Sequence, residues 1–250
     1  MITDRNLDPV VTPSNNMTVS EMPRFRVEEC GEYTAELKQT LAEALLVLEP
    51  ALHDAQFGNK SAVFSAIFKL GDTKEFVQDI LTKIFSGTRM IDLQPNPYIP
   101  TIPTFACVTP YTWHKNKFLK ADPYALCMPP LGIGQAFIMQ GTSYIYLCPS
   151  FWTRPPWPSF PDCPSVWKNR WVGPGQYLSN YQGYLLIHEM VHFYLGGSSL
   201  GLSQNPPEVY EFNGCVGLGT YDSLHNPQNY QNYVACKTRT VINMLPPETS

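Results

Sequence analysis

The chain has 250 residues, of which 44% are hydrophobic and 15% are charged. This apolar content excludes a disordered chain, and no window approaches the roughly 18 uncharged apolar residues of a membrane-spanning helix. The net charge is −4 and the 17 basic residues are scattered, so we expect neither nucleic acid nor a membrane as a partner. A chain of this length buries a core without help from a metal ion, and a metal site would therefore serve chemistry.

The first part of the chain is predicted to form an extended arm over residues 1–30, followed by a single domain in two lobes over residues 31–250. Three helices are predicted next, at Glu32–Phe57, Lys60–Leu70 and Thr73–Phe85. Pro50 predicts a kink or a division in the first helix, and Gly58 is expected to end it. Asn59 and Asp72 are candidate caps for the second and third helices.

After residue 98 the chain is broken by Pro and Gly into short β-type segments. Strands are predicted at Thr104–Tyr111, Ala125–Met128, Gly134–Met139 and Ser143–Leu147. Residues 150–176 are rich in Trp and Pro and predict an ordered surface loop, which lines a cleft or packs onto the core. Together with the helices, this pattern predicts an α+β fold.

The cysteines indicate the compartment. Seven are present, which is many for a cytosolic protein and favours a secreted, extracellular one, although the opening residues lack the features of a signal peptide. By their spacing, Cys127 with Cys148 and Cys215 with Cys236 are candidate disulfides. Connectivity does not follow from sequence, and one of the seven must stay free or pair outside the chain.

Residues 184–195 read YLLIHEMVHFYL and predict a strongly apolar helix that contains the pattern H-E-x-x-H. His188 and His192 are four positions apart and share one helix face, so their two imidazoles can bind one zinc ion. Glu189 is rotated about 100° from His188 and can reach a water at the open coordination position. Two core histidines without a partner are the alternative, but burying them in so apolar a helix would be costly.

A zinc site of this kind needs a third protein ligand. The candidates that follow the helix are Glu208, Glu211, Asp222 and His225. Pro206 and Pro207 stiffen the approach to Glu208, which makes it the favoured choice. Tyr210 would then lie close to this ligand, and its phenol is our candidate donor to a developing oxyanion.

This set of motifs resembles the deuterolysin, or aspzincin, zinc metalloendopeptidases of fungi. The resemblance is carried by HEMVH and by the segments Tyr144–Trp152, Pro206–Tyr210 and Ser223–Tyr233. In that family a G-T-x-x-D-x-x-Y-G string follows the zinc helix, and its Asp is the third ligand. The string is not at its expected place here, but counting back from Tyr230 in the later helix points to residue 207 or 208, where Glu208 would replace the Asp.

The resemblance implies a zincin-like metallopeptidase fold, with N-terminal helices, a small β-sheet, the H-E-x-x-H helix and a C-terminal helical part. It implies a zinc endopeptidase that cleaves protein or peptide substrates, and we expect the chain to be a monomer. Zn²⁺ would be held by His188, His192 and Glu208, with Glu189 as general base. Two alternatives remain: a metal-binding or effector protein on the same scaffold without turnover, and a zincin-fold enzyme of small-molecule metabolism.

Overall fold

The structure, a computed structural model, describes residues 25–69, 73–86, 102–111, 122–129, 134–138, 144–157, 178–196 and 207–237. Its helices are α1 Thr34–Ala55, α2 Ala62–Phe68, α3 Lys74–Ser86, α4 Pro123–Cys127, α5 Gln182–Leu195, α6 Phe212–Gly217, α7 Thr220–His225 and α8 Pro227–Lys237. Its strands are β1 Arg26–Glu28, β2 Thr104–Cys107, β3 Ala136–Ile138 and β4 Tyr144–Leu147. The predicted α+β class is confirmed. Most of the predicted N-terminal arm, residues 1–24, lies outside the described residues.

The three predicted N-terminal helices are present with changed ends. α1 continues through Pro50, so the predicted division is wrong. A buried face of α1 packs against α3, α5 and α8, and this packing outweighs the roughly 3 kcal/mol that an internal proline costs. α2 begins later than predicted because Ser61, rather than Asn59, is its cap and accepts a hydrogen bond from the Phe64 N–H at 3.3 Å.

A strand was predicted at Ala125–Met128, but residues 125–127 belong to the short helix α4 instead. Asp122 starts this helix, since its side chain accepts a hydrogen bond from the N–H of Tyr124 at 2.9 Å. Pro123 occupies the first turn, where its fixed φ suits a helix. The Asp-Pro start therefore outweighs the apolar run that suggested a strand.

The four strands form one mixed sheet in the order β1-β2-β4-β3. β1 pairs with β2 and β2 with β4 in parallel, whereas β3 pairs with β4 in the antiparallel sense. The predicted strands at β2, β3 and β4 are confirmed, and β2 and β3 are shorter than expected. β1 lies at the end of the predicted arm and pairs Val27 with Phe105.

The two faces of the sheet pack differently. Phe105 and Ile145 belong to the main core, where they join the apolar faces of α1, α2, α3, α5 and α8. Phe137 and Tyr146 lie in a second, smaller cluster together with residues of α4. Among the described helices, none has both the length and the apolar character that a bilayer crossing requires.

Two disulfides join described cysteines, Cys30–Cys107 and Cys127–Cys148. The second is the predicted pair, and it ties α4 to the end of β4. The predicted pairing of Cys215 with Cys236 is wrong, because Cys215 is free and buried whereas Cys236 is bonded elsewhere. The Cys215 thiol on α6 instead donates to the carbonyl of Val209 at 3.1 Å.

Candidate metal centre

The H-E-x-x-H pattern lies at the centre of the fold, on α5. Every residue from Gln182 through Phe193 is buried, because α5 packs against α1, α3, α8 and the strands β3 and β4. The helix begins earlier than predicted, so Gly183 lies inside its first turn rather than before it. Gly196 ends it in the left-handed conformation with φ 73°, which glycine adopts readily at the end of a helix.

The start of α5 is held by the segment that precedes it. The backbone N–H of Gln182 donates to Pro155 at 3.1 Å, and that of Gly183 donates to Pro156 at 3.0 Å. The indole of Trp157 lies so close that a Cβ on Gly183 would overlap its ring. Trp157 in turn donates through Nε1 to Glu43 on α1 at 2.6 Å, which couples the orientation of α5 to α1.

Three donor side chains converge at the middle of α5. His188 Nε2 lies 3.0 Å from Glu208 Oε1, and His192 Nε2 lies 3.3 Å from Glu208 Oε2. One ligand atom from each residue can be chosen such that all three lie within 4.8 Å of one another. Bonds of 2.0–2.1 Å to a tetrahedral zinc ion separate neighbouring donor atoms by roughly 3.3 Å. These three residues therefore form a group that could hold a metal ion.

The charges at this centre stabilise one another. Burial alone would lower the pKa of His188, but the carboxylates of Glu208 and Glu189 and a contact with Gln228 together outweigh burial, and the pKa is raised. Burial alone would raise the pKa of Glu208, but His188 and His192 outweigh it and the pKa lies well below its usual range. Glu208 is therefore ionised although it is nearly buried, as a metal-binding carboxylate must be.

The other predicted candidates for the third ligand lie elsewhere. Glu211 is exposed at the start of α6, and Asp222 lies in the first turn of α7. His225 is exposed, stacks on Tyr221 with ring centroids 4.3 Å apart, and bonds through Nδ1 to the Tyr221 carbonyl at 2.9 Å. Within the part of the chain that the structure describes, the group that could hold a metal contains Glu208 and none of these three.

The two residues predicted to act on substrate lie beside the donors. Glu189 is 3% exposed, and its negative charge helps to raise the pKa of both His188 and Tyr210. The Tyr210 hydroxyl donates to Glu208 Oε2 at 2.8 Å, and its ring is stacked 6.1 Å from that of His188. Burial and then the Glu208 charge raise the pKa of Tyr210, so the phenol remains a hydrogen-bond donor.

Sequence reasoning assigned no role to the polar residues at the start of α8. Asn226, Gln228 and Asn229 are buried although they are polar. Gln228 adds a polar contact that raises the pKa of His188. The spacing of apolar residues could not identify these amides as buried, because the buried face of a helix is expected to be apolar. The one available signal was the run of amides in the segment NPQNYQN.

Comparison with protein-family models and with curated protein sequences finds no match to this chain. Most of the Trp- and Pro-rich segment, residues 158–176, lies outside the described residues, and its role in lining a cleft stays a prediction.

Proposed function

We propose that the chain is a zinc-dependent endopeptidase with a zincin-like fold, of the deuterolysin or aspzincin kind. The observation that carries this proposal is that the side chains of His188, His192 and Glu208 converge. Glu189 lies beside them, on the same buried helix as the two histidines. Two imidazoles and one carboxylate are a donor set that suits zinc, whereas magnesium and calcium prefer oxygen alone. A set of three protein ligands is typical of catalytic zinc, because it leaves a position for water.

A zinc ion held by His188, His192 and Glu208 would supply Lewis acidity and would lower the pKa of a bound water towards 7. Glu189 would take the proton from that water as it attacks the scissile carbonyl carbon. It would then return the proton to the leaving nitrogen as the C–N bond breaks. Since Glu189 is buried, these transfers take place in a low-dielectric environment that strengthens each electrostatic interaction.

Tyr210 would stabilise the oxygen of the scissile carbonyl as it gains negative charge. Its hydroxyl donates to Glu208 in the structure, which keeps the O–H near the centre. The residue is 53% exposed and so lies at the solvent side of the donors, where a substrate would arrive. In this role the hydroxyl would turn from Glu208 to the developing oxyanion.

A peptidase of this kind would act outside the cell on protein or peptide substrates, as a monomer. The disulfides support that compartment, since such bonds persist mainly in oxidising environments. A metal-binding protein without turnover would have no need of a buried carboxylate beside its ligands, so Glu189 favours hydrolysis. No contact among the described residues favours an enzyme of small-molecule metabolism.

The deciding experiment joins zinc content to cleavage. Protein purified without chelator should carry about one zinc ion per chain by elemental mass spectrometry. It should also cleave unfolded casein, lose that activity in a chelator, and regain it when zinc is returned. Zinc without cleavage would favour the binding protein, and a chain that takes up no zinc would contradict both readings.

A further inference from the structure

Val209, the residue after Glu208, is held through both its backbone N–H and its backbone carbonyl. The Val209 N–H donates to Asn226 Oδ1 at 3.1 Å, and Asn226 Nδ2 donates to the Val209 carbonyl at 2.9 Å. The thiol of Cys215 donates to the same carbonyl at 3.1 Å. The amide of Asn226 thus pairs with Val209 as a neighbouring strand would, although residues 207–210 belong to neither a helix nor a strand.

Asn226 is itself fixed by rigid parts of the fold. It is 5% exposed, and its Nδ2 also donates to Asn229 Oδ1 at 2.7 Å. The Nδ2 of Asn229 donates to the carbonyl of Ile67 on α2 at 3.1 Å and to that of Cys215 on α6 at 3.3 Å. The hold on Val209 is therefore connected to two helices and to the start of α8.

The side chain of Val209 is restrained as well. A Cβ added to Gly214 on α6 would lie 2.5 Å from Val209 Cγ1, so α6 approaches this residue as closely as a glycine allows. The side-chain amide of Asn226, the thiol of Cys215 and the backbone of Gly214 therefore all contact Val209. We call this arrangement, made by Asn226, Cys215 and Gly214, the Val209 clamp.

We propose that Asn226 is a positioning residue for the metal centre: through the Val209 clamp it sets where the Glu208 carboxylate stands between the two histidines. A glutamate side chain has three torsions, so its carboxylate can reach many positions. A fixed backbone reduces that number. Two hydrogen bonds to one residue determine the orientation of the backbone and not only its distance. The inference rests on the proposed metal site but does not depend on peptide cleavage.

The test compares variants by their zinc affinity. Asn226→Ala removes both bonds to Val209 and should weaken zinc binding by about 10- to 100-fold, the usual effect of losing a residue that orients a ligand. Gln182→Ala is the matched control, because Gln182 is also a buried amide with two hydrogen bonds, to Glu36 at 3.1 Å and to Arg154 at 2.9 Å. Affinity is measured by competition with a chromophoric chelator, and metal-free melting temperatures are recorded beside it.

A second variant reaches the clamp without removing a hydrogen bond. Gly214→Ala should push Val209 away and should also weaken zinc binding, so the proposal can be tested even if Asn226→Ala fails to fold. Cobalt is then substituted for zinc, and its visible spectrum should change in Asn226→Ala and Gly214→Ala but not in Gln182→Ala. A purely structural role would lower the melting temperature of all three and leave the spectrum alone.

Zinc affinity equal to that of the unmodified chain in Asn226→Ala and Gly214→Ala would overturn the proposal. So would an equal loss in Gln182→Ala, because the effect would then be general destabilisation. An unmodified chain that takes up no zinc would overturn the metal centre and the clamp together. An unmodified chain that binds zinc without cleaving casein would contradict only the peptidase activity, and the ranking of the variants would still decide the role of Asn226.

Discussion

The carboxylate of Glu208 lies 3.0 Å from Nε2 of His188, and each side chain is only 4% exposed. The two residues come from different segments, one from the buried helix α5 and the other from the stretch before α6. A buried carboxylate and imidazole this close depend on each other for charge compensation. Changes at either residue should therefore have large effects, and changes at the more exposed acidic residues should not.

Glu208→Ala should weaken zinc binding by more than about 100-fold, since altering only the surroundings of a ligand already costs 10- to 100-fold. Asp222→Ala is the control, because Asp222 lies on α7 and is not part of the group that could hold a metal. Zinc retained after dialysis is measured for both variants. If Asp222→Ala lost more zinc than Glu208→Ala, the choice of third ligand would be wrong.

Glu189→Gln should keep zinc and lose hydrolysis. The amide has nearly the shape of the carboxylate but cannot take a proton, and general base catalysis typically contributes about 10²- to 10⁴-fold. The rate of casein cleavage and the zinc content are measured on the same preparation. Full activity with full zinc content would exclude Glu189 as the base.

Tyr210→Phe separates two roles of one hydroxyl. If Tyr210 is the oxyanion donor, removing its hydroxyl should lower kcat by about 10²- to 10³-fold and should leave the zinc content unchanged. The bond to Glu208 at 2.8 Å could instead make Tyr210 a support for the ligand. In that case the variant would lose zinc affinity, and its kcat at saturating zinc would match that of the unmodified chain.

Gly183→Ala should destabilise the fold by about 1–3 kcal/mol, the usual cost of overpacking. The new methyl would overlap the Trp157 ring, and moving the indole would break its hydrogen bond to Glu43. Gly217→Ala is the control, because a Cβ there has nothing within 4 Å. Urea unfolding followed by circular dichroism gives both values, and equal stability of the two variants would contradict the close approach of Trp157.

Cys215 should resist alkylation in the native protein at pH 8 and react once the chain is unfolded without reductant. Burial is the main reason that the pKa of its thiol rises from 9.0 to about 12. Because the folded pKa is the higher one, the thiol contributes stability that is complete below pH 9 and is lost as pH rises towards 12. Cys215→Ser should reduce this loss of stability at alkaline pH. Peptide mapping of the alkylated cysteines tests the reactivity of Cys215 in the native protein.

Local patterns predicted part of the fold well. The buried helix α5, the helices α1 to α3 and three of the strands follow from spacing that is visible within a few turns. The helix α4 was not predicted, because its apolar run suggested a strand whereas the cap at Asp122 stabilises a helix. The pairing of Cys127 with Cys148 was predicted correctly, but the pairing predicted for Cys215 with Cys236 was wrong, since equal spacing in sequence does not determine which way a helix turns its thiol.

The sequence by itself determined that His188 and His192 share one face of a buried helix with Glu189 beside them, because residues four apart in a helix are always neighbours. It also narrowed the third donor to a few acids and one histidine. Only the tertiary structure decided that Glu208 reaches both imidazoles, and that Asn226 holds the neighbouring peptide. These contacts join segments far apart in the chain, so they depend on how α5, α6 and α8 pack and on no local rule.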